Sequence, residues 1–109
     1  MNMINQDISK LKEEIDSVVT QKNYETLRYV LFNEGDGTPF AVHLFIKNDK
    51  FMVNSRDERS YVVGKTFEFS TFDEAKVKFL KLLDLTVEIN KEDIKLGYSA
   101  EYYSPLWNK

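Results

Sequence analysis

Thr66-Phe67-Glu68-Phe69-Ser70-Thr71-Phe72-Asp73-Glu74-Ala75 decides the fold. Its first four residues form a short strand-like run, and its last five begin a helix. Thr71 is placed to accept a hydrogen bond from the first turn, and Glu74 three residues later completes a capping-box pattern. Asp73 adds negative charge at the positive end of the helix dipole. Beyond it, Phe72, Ala75, Phe79, Leu82 and Leu83 share one helical face, while Lys76, Lys78 and Lys81 are expected to face water. A strand over about 66–70 is therefore expected to lead into a helix over about 72–90. Leu83, Leu85, Val87 and Ile89 also alternate as a strand would, so residues 85–96 read either way until Gly97.

Upstream, four further strands are expected, over about 25–33, 39–47, 50–55 and 60–64. Their residues are aromatic or β-branched in short runs. Glu34-Gly35-Asp36-Gly37-Thr38-Pro39 reads as turn chemistry and Asn48-Asp49 as a tight hairpin. Gly64, between two short runs, suggests a bulge or bend. In the second strand Phe40, Val42, Leu44 and Ile46 form the expected core face. His43 then falls on the opposite face, partly exposed or covered by a loop.

At the N-terminus, Ile4, Ile8, Leu11, Ile15, Val18 and Val19 lie on one helical stripe, which predicts a helix over about 5–22. Asn5 or Asp7 can cap it. The stripe is also heptad-like, so a second copy of this helix is a conceivable partner. At the other end, residues 97–109 read as an irregular tail. Its Tyr98, Tyr102, Tyr103 and Trp107 either pin the C-terminus to the body or anchor another protein. The order of elements argues for a single α+β domain over residues 1–109. An N-terminal helix, a four- to five-stranded antiparallel sheet and a second helix on one sheet face would be followed by that tail.

Composition narrows the chemistry. The 109 residues carry 15 Lys and Arg against 18 Asp and Glu, a net charge of −3, which excludes nucleic-acid binding through a bulk basic field. Without cysteine there is no disulfide, thiol nucleophile or Cys-based metal site. No apolar run is long enough to span a bilayer, and the first residues lack a secretory pattern, so a cytoplasmic protein is expected. His43 is the only histidine and has no visible nucleophile or orienting group beside it in sequence. Glu34-Gly35-Asp36-Gly37 lacks the twelve-residue ligand spread of an EF-hand and the Gly-Lys-Ser/Thr of a phosphate loop. The residues thus suggest no catalytic group, no cofactor and no metal. Recognition by exposed loop side chains is left, with Glu34, Asp36, Asp57, Glu58, Arg59 and Tyr61 as candidate partner-binding residues.

Several of these motifs together resemble a known family. Arg28-Tyr29-Val30-Leu31-Phe32-Asn33-Glu34-Gly35, Pro39-Phe40, Asp57-Glu58-Arg59, Lys65-Thr66-Phe67-Glu68-Phe69 and Phe72-Asp73-Glu74-Ala75 are similar to immunity protein family 59 of the bacterial polymorphic-toxin systems. The similarity runs from Leu27 to about Asn90, leaving the N-terminal helix and the Tyr/Trp tail outside it. It implies a non-enzymatic protein, made beside a toxin, that binds the toxic domain stoichiometrically and protects the producer. With the charge balance and the short apolar runs, the expected partner is a protein, with neither nucleic acid nor membrane, and the chain itself a monomer or weak homodimer. The alternative is a structural or regulatory interaction module, dimeric through the N-terminal helix.

Overall fold

The computed structural model describes residues 8–108. In chain order these form α1 (Ile8–Gln21), β1 (Tyr29–Leu31), β2 (Val42–Lys47), β3 (Lys50–Arg56), β4 (Val62–Phe69), α2 (Phe72–Lys95) and a closing 3-10 turn (Pro105–Asn108). The four strands lie in the order β1-β2-β3-β4. Both helices cover one face of this sheet. Ile4 and the expected caps Asn5 and Asp7 lie outside the described residues.

The sheet is mixed rather than antiparallel throughout. β2 and β3 are antiparallel, as are β3 and β4, but β1 runs parallel to β2, with Tyr29 opposite Val42 and Leu31 opposite Leu44. The glycine-rich turn at 34–39 therefore does not close a hairpin. Its Asp36 carboxylate accepts from the Thr38 N–H at 2.8 Å and the Thr38 hydroxyl at 2.5 Å, which folds the loop on itself. These two donors also hold the Asp36 carboxyl below its usual pKa. Phe32 (φ 57°) and Phe40 (φ 60°) take left-handed corners at the two ends of the loop. The chain returns far enough for the Val42 N–H to reach the Arg28 carbonyl at 3.2 Å and the Phe32 N–H to reach Leu44 at 2.7 Å. The first strand is correspondingly shorter than 25–33. Asn23 turns at φ 60° and the Leu27 N–H bonds back to Tyr24.

The later sheet follows its turn chemistry. Asn48 (φ 53°) and Asp49 (φ 61°) make the two-residue turn with both central residues left-handed, as a twisted hairpin favours. Residues 60–64 and 66–70 fuse into the single strand β4, interrupted at Gly64 (φ 73°) by a bulge. There the register passes from Ser55–Val63 to Val53–Phe67, so one residue of β3 faces three of β4. Asn54 donates from Nδ2 to Thr66 Oγ1 at 3.0 Å and fills the gap.

α2 starts as the capping pattern requires. Thr71 is extended, accepts from the Glu74 N–H at 3.2 Å and donates to Glu74 Oε1 at 2.9 Å. Thr71→Ala should cost about 1 kcal/mol, read as a lower unfolding midpoint in urea with an unchanged slope. The helix continues past 90 to Lys95 because no breaker intervenes before Gly97 (φ 91°). There Tyr98 N–H bonds Asp93 and Gly97 N–H bonds Ile94, the two bonds of a Schellman stop. The alternating residues 83–89 are thus helical, with Leu83 buried in the core and Leu85 and Ile89 left exposed. Fully buried Asn90 accepts from the Glu101 N–H at 2.7 Å, and its Nδ2 donates to Glu101 Oε1 at 3.0 Å.

The core joins every layer. Ile15 and Val19 of α1, Val42 and Leu44 of β2, Phe51 and Val53 of β3, Ala75, Phe79 and Leu83 of α2, and Leu106 and Trp107 of the tail form one buried cluster. Within the described residues, the stripe of α1 is spent on this cluster rather than left as a seam for a second helix. Glu14–Lys76 at 2.7 Å and the Tyr24 hydroxyl on Asp84 at 2.6 Å tie α1 and the residues after it to α2. In the tail, Trp107 Nε1 donates to the Tyr102 carbonyl at 2.6 Å, and the Tyr102 hydroxyl accepts from Arg28 N–H. Tyr102 and Trp107 therefore pin the C-terminus, whereas Tyr98 and Tyr103 stand exposed.

Two side-chain placements depart from the strand pattern. His43 lies opposite the core face, as expected, but is fully buried, because β2 is covered on both faces. Phe40 stops short of the strand and is half-buried against Tyr102.

Candidate functional site

The loop between β3 and β4 is built around Asp57. Its Oδ1 accepts from the Arg59 N–H at 2.8 Å and the Tyr61 N–H at 3.0 Å. Its carbonyl accepts from Ser60 and from Phe40, and its own N–H reaches the Tyr61 carbonyl at 2.8 Å. Ser60 takes a left-handed φ of 64° inside this frame. Arg56 completes it, donating from Nε to Asn54 Oδ1 at 2.8 Å. A short polar side chain that bonds backbone two and four residues on makes a loop rigid. Glu58, Arg59 and Tyr61 consequently project from a fixed frame, and Tyr61 is 66% exposed. Asp57 is half-buried and positions its neighbours.

The remaining two candidates lie elsewhere. Glu34 is exposed and pairs with Lys47 at 3.2 Å, at the end of β2. Asp36 is half-buried, with its carboxylate engaged by Thr38. Phe40, bonded to Asp57, precedes the start of β2. The six residues therefore form two groups towards opposite ends of β2: Glu34 with Asp36, and Asp57 through Tyr61.

Sequence reasoning missed an apolar surface beside the second group. Val62 and Val63 at the start of β4 are exposed, as are Leu85 (46%) and Ile89 (44%) on α2. Between Val63 on one side and Leu85 and Ile89 on the other runs a groove of about 140 Å³, also lined by Val42, Leu82, Arg56 and Glu101. The signal was present in Leu85 and Ile89, which break the stripe Ala75–Phe79–Leu83 and so cannot point into the same core.

His43 is chemically isolated. Neither ring nitrogen has a hydrogen-bond partner. Burial, reinforced by the Arg56 charge and opposed by Asp36 and Glu34, pushes its pKa down to about 4. At neutral pH it is an uncharged ring inside the protein. Among the described residues no group of three or more His, Asp or Glu is placed to hold a metal ion. No helix there is long and apolar enough to cross a membrane.

The fold and this surface define a small α+β domain that presents a rigid loop beside an apolar groove. The chain belongs to the Immunity protein 59 family, whose model matches residues 8–108. The match takes in both α1 and the tail, so these are parts of the family pattern and not additions to it, contrary to the narrower span expected from the motifs. Comparison with curated proteins and with solved structures gives no match.

Proposed function

We propose that this chain is the immunity partner of a toxin domain, which it binds one to one and thereby neutralises. The observation that carries the reading is the family match over residues 8–108. The Asp57-framed loop supports it, because a loop backbone already held in place loses little freedom on binding. Arg59 and Tyr61 are the anchors in this reading, being of the residue types that dominate binding energy, and Glu58 is a rim charge. Glu34 and Asp36 form a second, acidic contact, with Asp57 acting through the loop it shapes. The interface requires about 800 Å² on each partner and no chemical step.

The test is co-expression with the toxin domain encoded in the neighbouring reading frame, followed by light scattering on the purified mixture. Rescue of growth and a one-to-one complex are expected. Arg59→Ala and Tyr61→Ala should each weaken the complex about tenfold, whereas Glu34→Ala and Glu58→Ala should change it by about threefold or less. Loss of both rescue and complex formation would remove the reading.

A further inference from the structure

The Asn48–Asp49 turn settles which way the backbone groups of the sheet point. The pair flanking a two-residue hairpin turn, Lys47 and Lys50, exchanges both its hydrogen bonds. Strict alternation then turns the N–H and C=O groups of Met52 and Asn54 towards β2, and those of Phe51, Val53 and Ser55 towards β4. Bonds at the strand ends follow the same rule. The Arg56 N–H reaches the Ala41 carbonyl on the β2 side at 3.0 Å, and the Asp57 N–H reaches Tyr61 on the β4 side at 2.8 Å. Within β4, Val63, Phe67 and Phe69 therefore bond inward to Ser55, Val53 and Phe51. Val62 and Glu68 point their backbone groups outward, past the last strand of the sheet.

The two edges of this sheet differ. β1 offers three half-buried residues, whereas β4 offers eight, the first five of them exposed. Unpaired backbone along such an exposed edge is left to water in the free chain, and an extended chain is the occupant that can replace that water along the whole row. The side chains add a second requirement. Val63 pairs with Ser55 on the helix-facing side of the sheet and forms one wall of the groove whose other wall is Leu85 and Ile89. A strand laid beside Val62–Gly64 would direct alternate side chains to that side, so one of them must be apolar.

We propose that the outer edge of β4 receives an extended segment of the toxin as a fifth strand, with an apolar side chain of that segment seated between Val63 and Leu85–Ile89. The inference rests on the toxin-binding reading above and specifies its geometry. A second copy of this chain is the poorer occupant. Pairing two copies along the whole of β4 sets their Lys65 side chains beside each other near the two-fold, and the Gly64 bulge interrupts the ladder there.

Amide hydrogen exchange on the chain alone and in complex with the toxin domain from the neighbouring reading frame tests this directly. Val62 and Glu68 should exchange at least about tenfold more slowly in the complex, while Val63 and Phe67, already bonded to β3, change little. Val62→Pro removes an outward N–H and leaves the bonds to β3 in place, and Leu85→Lys places a charge in the groove. Each should raise Kd about tenfold, with the unfolding midpoint confirming that the variant is folded. A one-to-one complex in which Val62 and Glu68 exchange as in the free chain overturns strand addition while leaving toxin binding standing. So does a Kd within about twofold of the parent for both folded variants, or protection that depends on concentration without toxin. Absence of any complex removes the inference together with the function on which it rests.

Discussion

Truncating Phe79 to alanine should lower the folding free energy by about 3–5 kcal/mol, a large part of what a domain of this size possesses. Phe79 is fully buried in the first half of α2, and its ring meets Tyr29 edge-on at a centroid distance of 5.9 Å. It belongs to the cluster that also takes Ile15 and Val19 from α1, Val42 and Leu44 from β2, and Trp107 from the tail. A cavity there removes contacts from several elements at once, and both helices must shift towards the sheet to fill it. Phe79→Leu retains much of the volume and should cost roughly half as much or less. Urea unfolding followed by circular dichroism reads both variants. A loss under about 1 kcal/mol for the alanine variant would show that the helices do not meet the sheet through this ring.

That cluster was largely legible in the sequence, and the reason is periodicity. Ile15 with Val19, and Ala75, Phe79 and Leu83, occur at helical spacing, and the capping residues Thr71 and Glu74 fixed where the second stripe begins. Asn48-Asp49 and Gly64 were readable because left-handed backbone restricts residue choice. The direction of β1 was not readable. A Gly-Asp-Gly turn is compatible with a hairpin, and only the bonds of Asp36 to Thr38 and the corners at Phe32 and Phe40 send the chain back for a parallel pairing. The end of α2 was ambiguous because its cover, Glu101 on Asn90, comes from a distant segment without a period of its own.

The candidate site shows the same division. Asp57, Glu58, Arg59 and Tyr61 are neighbours in the chain and stay neighbours in space, with Asp57 holding the others. Glu34 is drawn to Lys47 by an ion pair at the end of β2, a placement set by the parallel return of the chain. The groove joins Val63 to Leu85 and Ile89 across two elements, so no single stretch of sequence announces it. Local chemistry wrote the loop, and tertiary packing wrote the groove.

His43 should make the fold acid-labile well above the range where most carboxylates titrate. Its pKa is about 4 in the folded protein against 6.5 for a free imidazole, because burial without a hydrogen-bond partner penalises the charged ring and the Arg56 charge adds to that. The unfolded chain therefore takes up a proton near pH 6.5 that the folded chain refuses until about pH 4. Between these values the unfolded state binds more protons, so stability must fall as pH falls. The effect is absent above about pH 7, reaches roughly 2–3 kcal/mol by pH 4.5, and levels off once the folded ring also protonates. The charged groups acting on His43 limit its size in opposite directions: Arg56 deepens it, and Asp36 and Glu34 reduce it. His43→Leu keeps a side chain of similar bulk, removes both unpartnered nitrogens and abolishes the proton uptake. It should be at least as stable as the parent at pH 7.5, since a buried polar group without a partner stabilises nothing. Urea unfolding at intervals from pH 7.5 to 4.5 decides the matter. The parent should lose about 2–3 kcal/mol more than the leucine variant over that window, and parallel pH profiles for the two proteins would show that the imidazole is solvated or bonded after all.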